Sequence, residues 1–471
     1  MRLKCVPEDF RVRELLDFDE VADGRYFVHL VRKQKLSTAE ALSRIACDCG
    51  VPRELIAYAG LKDRQAVTEQ YVSIEGRSVD LRQPDLVVIC VGRTDKPITS
   101  RQSRGNSFTI AIRDLAPSDA SALRRGLPSL QKTGLPNYFD DQRFGCLRHS
   151  QGFAMAALLR GDHESALRSL IAEPSGVAIT GDVKLKKALR FHWGDWQTCL
   201  EIARGPIYRP VFQHLVRHEG DFRGALSLLP QRMRTIHAFA YQSFLWNRAL
   251  SFMLNGGIPS AQRLRIPTIA GDFVAWKYLD PDREEKLAAM STPLYGPDGD
   301  GGSPPFRAAM LRELERAGIR PEDFSREEIP GMIWKEEQRA AIVKPIDAAQ
   351  IEIRPDDRHE GRVMATLAFS LPRGAYATMV IKRLLARPWF DRARAEDRPF
   401  RGARAGFRRE DRGPAHREGR GFREGLGPGG RRRFFPGGGA PRGRGACRPR
   451  GSRPPFDAFD GDSIDDDQET T

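Results

Sequence analysis

From Phe10 onward the chain shows short runs of alternating apolar and polar side chains, interrupted by stretches of helical spacing. "FRVREL" (Phe10 to Leu15) and "YFVHLVRK" (Tyr26 to Lys33) have the partial two-residue alternation of half-buried strands. "STAEALSRIACDCG" follows with apolar residues at helical spacing. Ser37 with Glu40 three places on makes a capping box, and Gly50 supplies a stop, so a helix is predicted between them. "QYVSIEG" and "NSFTIAIRDL" return to strand patterning, and "SDASALRRGLPSLQK" to helical spacing.

The segment from 155 to 335 changes character. "GFAMAALLRG", "ESALRSLIAEP", "IHAFAYQSFLWNRALSFMLNGG" and "FRAAMLRELERAG" are helical, with Gly- and Pro-bearing loops such as "TPLYGPDGDGGSPP" between them. Strand patterns resume at "AAIVKPIDAAQIEIRP" and "RVMATLAFSLP". The predicted class is α+β with a mixed or antiparallel sheet. The order suggests one sheet domain, residues 1–154 and 336–390, interrupted by a helix-rich insertion at 155–335. A plain string of two domains is the alternative. From Asp391 to the end at 471 the chain is rich in Arg, Gly and Pro, has no lysine and carries little aliphatic surface. Such a segment cannot offset its ordering entropy, so a disordered tail is expected. Phe beside Arg and Gly is a composition suited to RNA contact; a solubilising tail is the plainer reading.

Charge narrows the partners. The net charge is +14 and the pI about 9.6. Of 76 Lys and Arg and 62 Asp and Glu, 19 Arg and 14 acids lie from Asp391 onward, so the preceding part is basic in its own right. A polyanion such as RNA is the expected partner. No run approaches the roughly 20 apolar residues of a membrane helix, and "MRLKCVPEDF" lacks the apolar stretch of a signal peptide. Seven scattered cysteines, with only Cys47 and Cys49 close, fit neither a zinc knuckle nor a redox pair. A reduced, cytoplasmic, metal-free protein is expected. No GxxxxGK[ST], HExxH or GxSxG occurs. The pair Asp140–Asp141 is expected to be solvated.

Three segments carry candidate chemistry. In "YAGLKDRQAVTEQ" Asp63 stands between Lys62 and Arg64, just after Gly60. A carboxylate among cations favours its charged form, so the stretch is either a charged turn or a presented nucleophile. Lys62, Arg64 and Lys4 are all candidate partner cations. "GLPNYFDDQRFG" packs Asn137, Tyr138, Phe139, Gln142, Arg143 and Phe144 together. Rings with an amide suit a flipped-out base, or else bury apolar area in a core. In "FSLPRGAYATMVIKRLL" Pro372 and Gly374 break a strand and Tyr376 opens a helix. The first-turn N–H groups suit a phosphate, though strand–turn–helix connection alone accounts for the pattern.

These segments, in this order, resemble the TruD family of pseudouridine synthases. The match rests on "KCVPEDFRVRE", "YAGLKDRQAVTEQ", "RGNSFTIAIR", "GLPNYFDDQRFG", "YQSFLWN", "TPLYGP" and "FSLPRGAYATMVIKRL", and spans residues 1 to about 387. The resemblance implies a pseudouridine synthase catalytic domain with a family-specific insertion. It implies isomerisation of uridine in RNA, at position 13 of tRNA in bacterial members. It places the catalytic aspartate on Asp63, and substrate-binding positions on Phe10, Asn137 and Tyr376. Phe139 resembles the ring stacked at the target base, and Lys4 the cation beside the aspartate. Some members carry Phe where Tyr376 stands; the aromatic ring is kept. No cofactor is implied, because the isomerisation involves neither redox change nor hydrolysis. The expected partner is tRNA, and the expected state is a monomer. A synthase acting on other RNAs, or an RNA-binding protein without chemistry, are the alternatives.

Overall fold

Buried and exposed residues alternate along Phe10–Leu16 (β1), as a strand with one covered face requires. The computed structural model that contains it describes residues 1–147, 152–174, 180–325 and 332–389. Further strands are Tyr26–Gln34 (β2), Ile56–Tyr58 (β3), Val67–Glu75 (β4), Leu81–Arg82 (β5), Leu86–Thr94 (β6) and Ser103–Leu115 (β7). Beyond them lie Leu135–Pro136 (β8), Arg263–Thr268 (β9), Gly271–Trp276 (β10), Ile342–Val343 (β11), Gln350–Pro355 (β12), Val363–Pro372 (β13) and Arg387–Pro388 (β14). Among the described residues nine strands form one sheet in the order β12-β13-β7-β1-β4-β2-β6-β5, with β3 on β4. β1 and β4 run parallel and the other pairs antiparallel. The class is therefore α+β with a mixed sheet.

Thr38–Cys49 (α1) is capped as its sequence requires: Ser37 accepts from the Glu40 amide, Glu40 accepts from the Ser37 amide, and Gly50 takes φ +61°. It covers one side of the sheet with Leu42 and Ile45, against Val31, Val72, Ile74 and Val88. The register of β1 on β4, with Val12 opposite Thr68, puts a larger core on the same side, farther along the sheet. There Phe10, Phe108 and Phe369 form a row of rings across β1, β7 and β13, with centroids 6.3 and 5.7 Å apart. Pro117–Thr133 (α2) joins that core through Leu123, Leu127 and Leu130.

The middle of the chain holds a repeat that the sequence analysis missed. Three helical hairpins follow one another: Ala154–Leu159 (α3) with His163–Ile171 (α4), Thr180–Phe191 (α5) with Trp196–Ile202 (α6), and Arg209–Arg217 (α7) with Phe222–Ser227 (α8). Each turns through a glycine at positive φ (Gly161, Gly194, Gly220). In each an aspartate (Asp162, Asp195, Asp221) then caps the second helix by accepting from the amide three residues on. Gln231–Gly257 (α9) follows as a long buried helix, then Pro281–Ala288 (α10) and Pro304–Arg316 (α11). This part is not purely helical. β9 and β10 form a hairpin, and β14 pairs with β9.

One buried group sets an acid limit on the fold. His29 on β2 is fully buried, and its Nε2 accepts from the Val79 amide at 3.0 Å. Burial lowers its pKa from 6.5 to about 4. Between those values the unfolded chain binds more protons than the fold, so stability falls as pH drops through that window. The loss amounts to about 3 kcal/mol by pH 4. His29→Gln keeps an acceptor for Val79. Urea unfolding from pH 7 to 4 is expected to show a shallower acid loss in this variant, and an unchanged slope would refute the assignment.

Candidate active site

Asp63 sits on the loop between β3 and β4. Its backbone is fixed by Lys33, a buried lysine at the end of β2. The Lys33 ammonium donates to the carbonyls of Leu36 (2.6 Å), Lys62 (3.1 Å) and Asp63 (3.1 Å). A lysine ammonium has three donors, and three carbonyls receive them. The Lys62 amide donates to Thr38 Oγ1 at 2.8 Å, and Thr38 donates to Gln70 at 2.9 Å. The loop is thus tied to β2, α1 and β4 through its main chain, which leaves the Asp63 side chain available. Its Oδ1 accepts from the Gln65 amide at 2.8 Å, and its Oδ2 receives Lys4 Nζ. The carboxylate is 28% exposed.

Lys4 comes from the N-terminal segment just before β1. It holds φ +56°, a left-handed conformation that L residues take only at a cost of about 1–2 kcal/mol. Its ammonium lies 4.4 Å from the Phe10 ring centroid, within cation–π range. The structure therefore gathers Lys4, Phe10 and Asp63 into one contact group, where β1 and β4 begin side by side.

The other two candidate cations are engaged elsewhere. Lys62 Nζ donates to Glu14 Oε1 at 2.6 Å, and Glu14 Oε2 accepts from the Tyr71 amide at 2.9 Å. Arg64 pairs with Glu40 at 3.3 Å. The Lys62–Glu14 pair is almost wholly buried. Lys62→Met strands a buried carboxylate, so an unfolding free energy lower by about 3–5 kcal/mol is expected. Glu14→Gln in the same chain should recover most of the loss. Urea denaturation of the single and double variants checks both points.

A second group forms around Gly134–Gly145. Leu135–Pro136 pairs with Ile342–Val343, which brings residues 339–341 alongside Asn137. The Asn137 amide N–H donates to Ala341 O, and its Nδ2 to Ala340 O at 3.1 Å. Phe139 is clamped by Asn247 of α9, which accepts from its N–H at 2.9 Å and donates to its carbonyl at 2.8 Å. The Phe139 ring meets Tyr376 edge-on at 6.2 Å and Trp246 at 5.7 Å. Tyr376 is the N-cap of Ala377–Leu384 (α12), reached from β13 through a turn at Gly374, φ +79°. Phe10, Phe139 and Tyr376 all belong to the same buried core on one side of the sheet. Asn137 is buried too. The neighbouring Tyr138 and Phe144 are core residues, and Tyr138 donates its hydroxyl to Val274 O at 2.7 Å.

Asp140 and Asp141 depart from the sequence-based expectation. Asp140 is buried and not solvated, because Lys382 and Thr378 of α12 both reach it; Lys382 also pairs with Asp141 at 2.7 Å. Burial, then the neighbouring Asp140, raises the Asp141 pKa against the pull of Lys382. Burial works against the Lys382 ammonium, but the two carboxylates outweigh it and raise its pKa. This network pins the start of α12, and with it Tyr376.

Arg339 was not singled out from the sequence. Its guanidinium lies 3.9 Å from the Phe139 ring centroid, 5.3 Å from Trp246 and 5.9 Å from Tyr376. It also donates to Asn137 O at 2.8 Å and to Asn137 Oδ1 at 2.9 Å. Its local stretch, "KEEQRAAIV", looks like ordinary charged surface.

The mixed sheet thus presents a lysine-paired aspartate beside the buried Phe10 ring. The family model for tRNA pseudouridine synthase D (TruD) matches residues 1–384. The chain belongs to the TruD family of tRNA pseudouridine synthases, which makes it an isomerase. A relative from Methanocaldococcus jannaschii is 30% identical over 390 residues, covering 81% of this chain and 91% of its own. The tRNA pseudouridine synthase D of Aquifex aeolicus is 28% identical over 392 residues, covering 82% and 98%. A solved structure from Methanosarcina mazei, assigned to the same family, has a TM-score of 0.65 at 24% identity, covers 81% of this chain and 93% of that one, and shares the fold.

Proposed function

We propose that this chain isomerises a uridine of tRNA, that of position 13, to pseudouridine, with Asp63 as the catalytic carboxylate. The observation that carries the proposal is the ion pair between Lys4 and the partly open Asp63 beside Phe10, with Lys62 and Arg64 paired elsewhere. In the reaction the N1–C1′ bond breaks, the uracil turns, and C5 joins C1′. The proton leaves C5 and N1 gains one, so atoms and electrons balance without an added reductant or water. One carboxylate serves as nucleophile at C1′ or as base at the sugar, and can afterwards take the C5 proton. Phe10, Asn137, Phe139 and Tyr376 hold the extruded base, whose unstacking costs a few kcal/mol.

In this reading residues 1–154 and 336–390 make up the catalytic domain and 155–335 the insertion. The enzyme works as a cytoplasmic monomer without a cofactor. No described helix is long and apolar enough to cross a membrane. The tail from 391 lies outside the described residues; its 19 arginines support added contacts to RNA phosphates. Mapping pseudouridine in total RNA with and without the protein tests the function. A new pseudouridine at one tRNA site is expected. An unchanged map, or sites confined to other RNAs, would overturn it.

A further inference from the structure

Three of the residues proposed to bind the base, Asn137, Phe139 and Tyr376, converge on Arg339. Arginine has donors only, so Asn137 must turn Oδ1 toward it; the Ala340 carbonyl only accepts, so Nδ2 must face that side. The two contacts lock the amide in one of its two flips. A side-chain amide has two N–H groups and two oxygen lone pairs. Among the described residues Asn137 uses one of each, which leaves one donor and one acceptor. Uracil shows a carbonyl acceptor beside its N3–H donor, and cytosine shows the reverse order. An amide held in one flip matches one order for a given placement of the ring, whereas a freely turning amide matches either.

We propose that Arg339 is a positioning residue that locks the Asn137 amide in the flip that pairs with the edge of uracil. It acts through Asn137, held in place by the face of Phe139. The proposal rests on the reading of Asn137 as a base-binding residue. Lysine at 339 keeps a cation near the rings but lacks the planar fork that reaches both Asn137 O and Oδ1.

The test compares Arg339→Lys, Asn137→Ala and the double variant in the full chain. Single-turnover pseudouridine formation is measured at saturating tRNA, alongside tRNA affinity. Each variant is expected to lose about 10- to 100-fold in rate, the size of about 1.4–2.7 kcal/mol, with affinity changed less than about threefold. The double variant is expected to lose no more than the worse single one, because both remove the same contact. A merely structural role for Arg339 would instead add its loss to that of Asn137→Ala, and that result overturns the proposal. Near wild-type rate in Arg339→Lys with an impaired Asn137→Ala sinks the proposal alone. Near wild-type rate in Asn137→Ala sinks the base-binding reading with it. Should Arg339→Lys not fold, Asn137→Asp decides: it keeps an acceptor for Arg339 but has no N–H for uracil. A comparable rate loss supports the proposal, and full activity refutes it.

Discussion

Asp63→Asn should stop pseudouridine formation, with a single-turnover rate at least about 10⁴-fold below wild type, or more than about 5 kcal/mol of barrier. The amide keeps the size of the side chain, and its oxygen can still accept from the Gln65 amide. What it loses is the charge that Lys4 faces and the ability to attack C1′ or accept a proton. Folding should survive, because the loop is held by Lys33 and Thr38 through main-chain groups of residues 62 and 63, not through the carboxylate. Binding of tRNA should survive too, since phosphate contacts from Lys and Arg dominate such affinities. The experiment measures product per turnover, the melting temperature and tRNA affinity on one preparation. A folded Asn variant that turns over within about tenfold of wild type would remove Asp63 from the chemistry.

Local signals in the chain were enough for the elements that local physics governs. Ser37, Glu40 and Gly50 bound a helix whose capping interactions all form. The alternation after Phe10 and Tyr26 became β1 and β2. The strand–turn–helix at Gly374 put Tyr376 at an N-cap. The hairpins α3–α8 were partly overlooked because several of their helices are only six to nine residues long. Windows that short show little periodicity; the recurring Gly–Asp turn was the usable signal. The β9–β10 hairpin was hidden by the helical patterns around it.

Long-range pairing was the part that no local pattern carries. Arg339 meets Asn137 across about 200 residues of chain, brought there by two short strands, β8 and β11. Asp140 looked solvated in "FDDQ" because its partners, Thr378 and Lys382, lie on a helix near the end of the fold. Lys33 closes the predicted strand "YFVHLVRK", and nothing in that local pattern shows that its ammonium reaches the carbonyls of Leu36, Lys62 and Asp63. Each of these polar groups is affordable inside the fold because its partners are themselves fixed by packing.

Lys4→Met is expected to lower the single-turnover rate about 100- to 1000-fold at saturating tRNA, the size of about 2.7–4 kcal/mol. Methionine keeps an unbranched stem over the Phe10 ring and faces the same left-handed backbone, so packing and strain change little. The positive charge opposite Asp63 is lost. Both partners of that pair are partly open to solvent, and exposed pairs contribute about 0–1 kcal/mol to folding. Unfolding free energy should therefore move far less than the barrier does. Lys4→Arg restores the cation with a different shape and should recover to within about tenfold of wild type. A purely structural role for Lys4 predicts the opposite pattern, with lost stability and an intact rate in the surviving folded protein. Urea unfolding and single-turnover kinetics on the two variants separate these outcomes, and a wild-type rate in Lys4→Met would show that the ion pair has no part in the reaction.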